Sequence, residues 1–220
     1  MDRNQTLRAI DEAKIIVILR GLDREQLIGA VGAMREGGIK CVEVTFNAKG
    51  NPSDETVAAN IAELIRLYPD MHIGAGTVLN RAQVDLVKAA GGEYIISPDV
   101  NVEVIEYTRK VGLVSIPGAL TPSEATSANR AGADYVKLFP NAVMGPAYLK
   151  AIAVPLSHIK FLAVGGVNEH NLGEYMRSGA AGIGVASAIV DKTAVKNKDW
   201  KTVAAKAKAY VDAMRESEKE

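Results

Sequence analysis

Two ionisable side chains stand inside runs that otherwise have the character of buried strands. Lys137 lies within Asp134-Tyr135-Val136-Lys137-Leu138-Phe139-Pro140, and Glu43 within Cys41-Val42-Glu43-Val44-Thr45. A lysine in such a run either reaches the rim and water or is held desolvated. Desolvation disfavours the ammonium and leaves the neutral amine that a Schiff-base nucleophile requires. Side chains alternate along a strand, so Cys41, Glu43 and Thr45 share one face, with Val42 and Val44 on the other. A carboxylate on a buried face is costly unless paired or hydrogen-bonded, so Glu43 reads equally as half of a structural salt bridge or as a general acid/base. If both side chains point into one interior, each supplies the partner that the other lacks.

The elements that must position these residues repeat along the chain. Short apolar, β-branched runs at 15–19, 40–45, 72–76, 94–97, 113–117, 135–139, 159–164 and 181–185 predict strands. They are mostly continuous rather than alternating, the pattern of parallel strands covered on both faces. Helical patterns lie between them. Residues 24–36 close on Gly37-Gly38, and 53–68 begin with Ser53 as an N-cap and stop at Pro69. Residues 81–90 close on Gly91-Gly92, and 102–111 on Gly112. Thr121-Pro122-Ser123-Glu124 opens the next helix, with Gly132 after its end. An Ala/Lys-rich helix over 202–214 places Val203, Ala207, Tyr210 and Met214 on one face, and the polar tail 215–220 is expected to fray.

Helices that close on glycine and hand over to a strand are repeating βα units. Roughly eight fit here, and about 200–250 residues is the size of a compact (β/α)8 barrel. No linker or composition break divides the chain, so residues 1–220 are expected to form a single α/β domain, a TIM barrel. An open doubly wound sheet is the weaker choice, because no G-x-G-x-x-G follows the first strand.

A barrel of this kind carries its site at the C-terminal ends of the strands. Thr77 follows Gly74-Ala75-Gly76, where two glycines would let a ligand approach the backbone; its hydroxyl could bind a carboxylate or cap the next helix. Asp99, after Ser97-Pro98, reads as a turn cap. Gly165-Gly166 and Gly184-Val185-Ala186-Ser187 end the last two strands, where barrels commonly hold a phosphate, although glycines there also permit tight turns. His72, His158 and His170 are dispersed with no metal-ligand spacing, Cys41 reads as a small buried hydrophobe, and no G-x-S-x-G is present.

Composition narrows the partners. The 220 residues are 48% hydrophobic, which excludes intrinsic disorder, and 26 basic residues balance 26 acidic ones, which argues against a broad nucleic-acid surface. A single cysteine forms neither an intramolecular disulfide nor a multi-cysteine zinc cage. After Met1 the first apolar run, 15–19, is too short for a secretory core or a membrane span, so a soluble cytoplasmic chain is expected.

Val42-Glu43-Val44-Thr45, Gly74-Ala75-Gly76-Thr77-Val78-Leu79, Ile116-Pro117-Gly118, Val136-Lys137-Leu138-Phe139-Pro140 and Ala163-Val164-Gly165-Gly166-Val167 occur in that order. Together they resemble the 2-keto-3-deoxy-6-phosphogluconate aldolases and the related 4-hydroxy-2-oxoglutarate aldolases over nearly the whole chain. The resemblance implies a class I aldolase of Entner–Doudoroff-type carbohydrate metabolism, cleaving a phosphorylated keto acid to pyruvate and glyceraldehyde 3-phosphate, with no metal and no cofactor. It puts the Schiff base on Lys137, the acid/base on Glu43, the threonine near the pyruvate carboxylate on Thr77 and the packing aromatic on Phe139. It puts the phosphate loops on Gly165, Gly166 and Ser187, with Pro117 and Gly118 lining the pocket. Some members have an arginine where this chain has Asn47; Asn47, Ile18-Leu19-Arg20-Gly21 and Met144-Gly145-Pro146 stand closer to the 6-phosphogalactonate branch, where Arg20 matches a substrate-binding arginine. Val185-Ala186 before Ser187 replace a family glycine, which is expected to weaken the phosphate grip. The family's habit implies a homotrimer. Two rivals stay open: a phospho-sugar isomerase or epimerase, and a non-catalytic phospho-sugar acid sensor on the same barrel.

Overall fold

The computed structural model describes residues 2–219; Met1 and the tail's last residue, Glu220, lie outside the described residues. Its strands are β1 (Ile15–Leu19), β2 (Cys41–Thr45), β3 (His72–Gly76), β4 (Tyr94–Ile96), β5 (Val114–Ile116), β6 (Gly118–Ala119), β7 (Val136–Leu138), β8 (Phe161–Val164) and β9 (Ala180–Val185). All pairings are parallel, in the order β5-β4-β3-β2-β1-β9-β8-β7-β6. The two ends of that order are consecutive in sequence and separated only by Pro117, which has no N–H for a ladder. On one side Ser97 N donates to Ile116 O at 3.3 Å, and on the other Lys137 N donates to Pro117 O at 2.8 Å. β5 and β6 are therefore two halves of one strand, and the sheet closes as a (β/α)8 TIM barrel in a single domain.

Ten helices accompany the strands among the described residues: α1 (Arg3–Ala13), α2 (Arg24–Glu36), α3 (Asp54–Leu67), α4 (Arg81–Ala89), α5 (Val102–Lys110), α6 (Pro122–Arg130), α7 (Gly145–Ala153), α8 (Leu172–Arg177), α9 (Lys192–Lys196) and α10 (Trp200–Ser217). Outward side chains such as Val17, Val42, Val44 and Val136 pack with the helices, while Ile16, Cys41, Tyr94, Ile96, Ile116, Leu162 and Val164 fill the barrel. Both faces are buried, which is why the strands read as continuous apolar runs.

The glycines of β3 serve this packing. The Tyr94 ring occupies the space where a side chain at Gly74 would stand, and the Glu43 carboxyl occupies that of Gly76. The expectation that these glycines clear room for a ligand is thus corrected: they clear room for two interior side chains. Tyr94 donates its hydroxyl proton to Val42 O at 2.6 Å, so a buried phenol ties β4 to β2.

Helix α1 was not expected, because its segment is mostly polar. Asp2 and Gln5 form a capping box at its start. It packs at the N-terminal end of the barrel, where Ile10 joins the interior cluster and Tyr135 donates to Asp11 Oδ1 at 2.7 Å. Nearly buried Asp134 receives Arg3, Arg109 at 2.7 Å and Ser115 N at 2.9 Å, which fastens α1 to α5 and β5. The tail also differs from expectation: residues 215–217 continue α10, because Ser217 Oγ donates to Met214 O at 2.7 Å and Glu218 pairs with Lys14. No helix of the described residues is long and apolar enough to cross a membrane.

Because Ile10 closes the barrel floor, Ile10→Ala should lower the unfolding free energy by about 2–5 kcal/mol, read from urea denaturation.

Candidate active site

Lys137 and Glu43 both point into the barrel, 6% and 1% exposed, and both line an interior cavity of about 10 Å³ walled by Ile16, Ile18, Ile96, Ile116, Leu162 and Val164. That is room for about one water. The central residue of β7 thus turns inward to the same cavity as the central residue of β2. Among the described residues Glu43 has no hydrogen-bond partner at either oxygen, although its carboxyl lies against Gly76. The Lys137 Nζ stands 4.8 Å from the centre of the Phe139 ring, two residues on along the same chain face.

Above them a cleft of about 460 Å³ opens at the C-terminal ends of the strands. It brings together Lys137, Phe139, Arg20, Thr77, Gly165, Gly166 and Ser187 among the residues singled out in the sequence. Arg20 Nη2 donates to Thr77 Oγ1 at 3.2 Å. Thr77 is β-branched yet has φ +57°, a strained backbone position of the kind that persists where surrounding structure enforces it. The cap of α4 is Asn80, whose side chain accepts from Gln83 N, so Thr77 is free of that duty.

Gly165 and Gly166 have φ of +100° and +75°, and a side chain at Gly166 would stand 2.8 Å from the Ala142 Cα. These glycines are therefore required by the turn itself and by the loop after β7. Ser187 follows β9 in a turn where Ala186 O accepts from Ile189 N and Val190 N, and its hydroxyl has no partner among the described residues.

Pro117 and Gly118 do not line the cleft. Gly118 is instead the close-approach point for the end of β4, with a side chain there meeting Pro98 O at 2.5 Å. Pro98 does line the cleft, as do Ile18 and Val164. Sequence reasoning passed over these apolar residues, although inward register at a strand end would have found Ile18 and Val164. Asp99 takes no part in the cleft; Ser97 Oγ donates to its carbonyl at 3.1 Å. Among the described residues no three His, Cys, Asp or Glu side chains converge as a metal site. His72 sits at the opposite end, 2.9 Å from Glu93 and beside a hollow of about 440 Å³ that neither Lys137 nor Glu43 reaches.

Burial raises the Glu43 carboxyl above its usual range, and the charges of Lys137 and Arg20 pull it only part of the way back. A carboxyl raised on folding holds its proton longer in the folded chain, so its contribution to stability is full below about pH 4 and falls as pH rises through the raised value. Glu43→Gln keeps the shape and removes the ionisation. Its stability, read from urea denaturation, should therefore fall less than the parent's as pH rises from about 4 to 7.

The chain matches the family model for KDPG and KHG aldolase over residues 7–206. It is 36% identical over 202 residues to the 2-dehydro-3-deoxy-6-phosphogalactonate aldolase of Escherichia coli K12, covering 91% of this chain and 96% of that one. A solved native KDPGal structure superposes with a TM-score of 0.84 at 35% identity, covering 94% of this chain and 96% of that chain. The KDPG aldolase of Legionella pneumophila, with pyruvate captured at low pH as a covalent carbinolamine, superposes with a TM-score of 0.83 at 30% identity, covering 96% and 98%. With a matched family model spanning most of its length, the chain belongs to the KDPG and KHG aldolase family.

Proposed function

We propose that this chain is a class I aldolase that reversibly cleaves a 2-keto-3-deoxy-6-phospho sugar acid to pyruvate and glyceraldehyde 3-phosphate. The observation that carries this is the sharing of one interior cavity by Lys137 and Glu43 in an otherwise apolar barrel. The amine of Lys137 adds to the substrate ketone at C2 to give a carbinolamine, and loss of water leaves an iminium. The C3–C4 bond then breaks, its electron pair moves toward the iminium nitrogen as an enamine, and the C4 hydroxyl loses its proton to become the aldehyde. Glu43, through a water in the cavity, accepts and returns protons at the carbinolamine, C4 and C3 steps; a carboxyl raised by burial is suited to both directions. Protonation of the enamine and hydrolysis of the imine release pyruvate and restore Lys137.

Arg20 and Thr77 bind the carboxylate end, the Phe139 ring packs on the imine, and Gly165, Gly166 and Ser187 grip the phosphate. The galactonate epimer is the second reading. Arg20 beside Thr77 and the 36% identical galactonate-type relative favour it. Turnover compared on the two C4 epimers decides between them. Location in the cytoplasm and assembly as a homotrimer complete the reading. Exposed Val143, Met144 and Val154 form apolar surface that a second copy would cover.

Borohydride reduction in the presence of pyruvate should trap a covalent adduct at Lys137, and its absence at saturating pyruvate would sink the mechanism. Lys137→Ala should lose turnover by several orders of magnitude, and Glu43→Gln roughly 10²–10⁴-fold, in a lactate-dehydrogenase-coupled assay. Ser187→Ala should raise KM for the phosphorylated substrate and spare 4-hydroxy-2-oxoglutarate, whereas equal damage to both would remove Ser187 from the phosphate grip. Sedimentation should give three times the 23.4 kDa chain mass.

A further inference from the structure

Asn141 follows Phe139-Pro140 at the C-terminal end of β7 and is 0% exposed, yet neither atom of its amide makes a well-formed hydrogen bond among the described residues. Its backbone, by contrast, is fully employed. The N–H donates to Val164 O at 3.1 Å, and the carbonyl accepts from Met144 N at 3.1 Å and from Gly145 N at 3.0 Å. The turn into α7 therefore uses only the main chain of this residue. An apolar side chain of the same size would fill the space without the cost of burying an unpaired amide.

Its surroundings give the amide a purpose. The segment 141–142 packs directly on the paired glycines after β8. A side chain at Gly165 would stand 3.4 Å from Ala142 N and 3.5 Å from Asn141 N. From the other side Asn171, at the start of α8, donates its amide to Gly166 O at 2.9 Å. The same helix carries Tyr175, 2% exposed, whose hydroxyl is the polar group that the Asn141 amide approaches. Burial raises that phenol, and the nearby amide offsets part of the push. An amide both donates and accepts, so it can bond a phenol in either sense. The glycine pair thus lies between the loop after β7 and α8, and the polar groups facing each other across those two segments are close but unbonded.

We propose that Asn141 is a positioning residue for the phosphate grip: the hydrogen bond between its amide and the Tyr175 hydroxyl closes as Gly165 and Gly166 take up the substrate phosphate, and holds the glycine pair in place. Asn141 does not line the cleft, so it acts through the glycines and not on the phosphate itself. A bond closed equally with bound substrate and in the transition state strengthens binding without altering the chemical step. This role rests on the phosphate grip and the aldolase reading given above.

Turnover of Tyr175→Phe and Asn141→Leu on the phospho-sugar acid and on 4-hydroxy-2-oxoglutarate tests this. The first deletes one hydroxyl, and the second keeps the volume but loses the amide. Each should raise KM for the phosphorylated substrate roughly three- to tenfold, the worth of one hydrogen bond, with kcat and the KM for the unphosphorylated substrate unchanged. The two substitutions together should do no more than either alone, because they remove the same bond. A merely structural contact would instead lower stability in urea and leave the KM ratio of the two substrates where it was. That result overturns the proposal, as does an equal rise in KM on both substrates or a double variant whose effects add. Should Asn141→Leu fail to fold, Asn141→Ala takes its place beside Tyr175→Phe. Inorganic phosphate supplies a readout independent of turnover: it should raise the Tm of the parent more than that of either variant, and equal protection of all three chains, or none, overturns the proposal. A parent protected more than its variants that gives no borohydride adduct with pyruvate would refute the aldolase reading alone. An adduct together with an unchanged KM ratio would refute the role of Asn141 alone.

Discussion

An amine and a carboxyl held together inside an apolar barrel are the constraint to which the surrounding structure answers. Burial penalises the charged form of Glu43, and Lys137 is the one other ionic residue lining its cavity. The neighbouring residues are chosen around them. Gly76 has no side chain because the Glu43 carboxyl fills its place, and Gly74 has none because the Tyr94 ring does. Tyr94 in turn anchors β4 to the backbone of β2, the strand that carries Glu43. The rest of the lining is isoleucine, leucine, valine and one glycine, so the two groups face each other's charge across an otherwise apolar cavity.

The two ends of the barrel are built for different purposes. At the N-terminal end α1, the paired arginines on Asp134 and the Tyr135–Asp11 hydrogen bond seal the interior and bind helices to strands. At the C-terminal end the backbone is allowed strain: Thr77 sits in the left-handed region, and the loop after β8 passes through two glycines with positive φ. The ion pairs thus tie down the end away from the cleft, while a strained threonine and a glycine pair shape the end that carries it. Pro117 belongs to this division. It interrupts the one strand through which the barrel closes, and its carbonyl accepts from Lys137 N and fixes the height of that residue.

By itself the sequence determined the repeating βα pattern, the positions of the eight strands to within a few residues, and the presence of Lys137 and Glu43 within strands, whereas closure of the barrel decided that both point inward. The features borne by the sequence are local: apolar runs, glycine stops and N-cap residues act over a few neighbours, so they are legible without a partner in view. The segment of α1 carries too few apolar residues to announce itself, and its burial comes from a barrel floor assembled out of strands far along the chain. The fate of 215–217 depended likewise on Lys14, some two hundred residues earlier. Tertiary structure alone decided that Gly74 and Gly76 yield their space to Tyr94 and Glu43, and that Gly118 meets Pro98 instead of lining the cleft. Each is a contact between residues whose neighbourhood exists only once the strands have closed, and no spacing along a single chain segment encodes it.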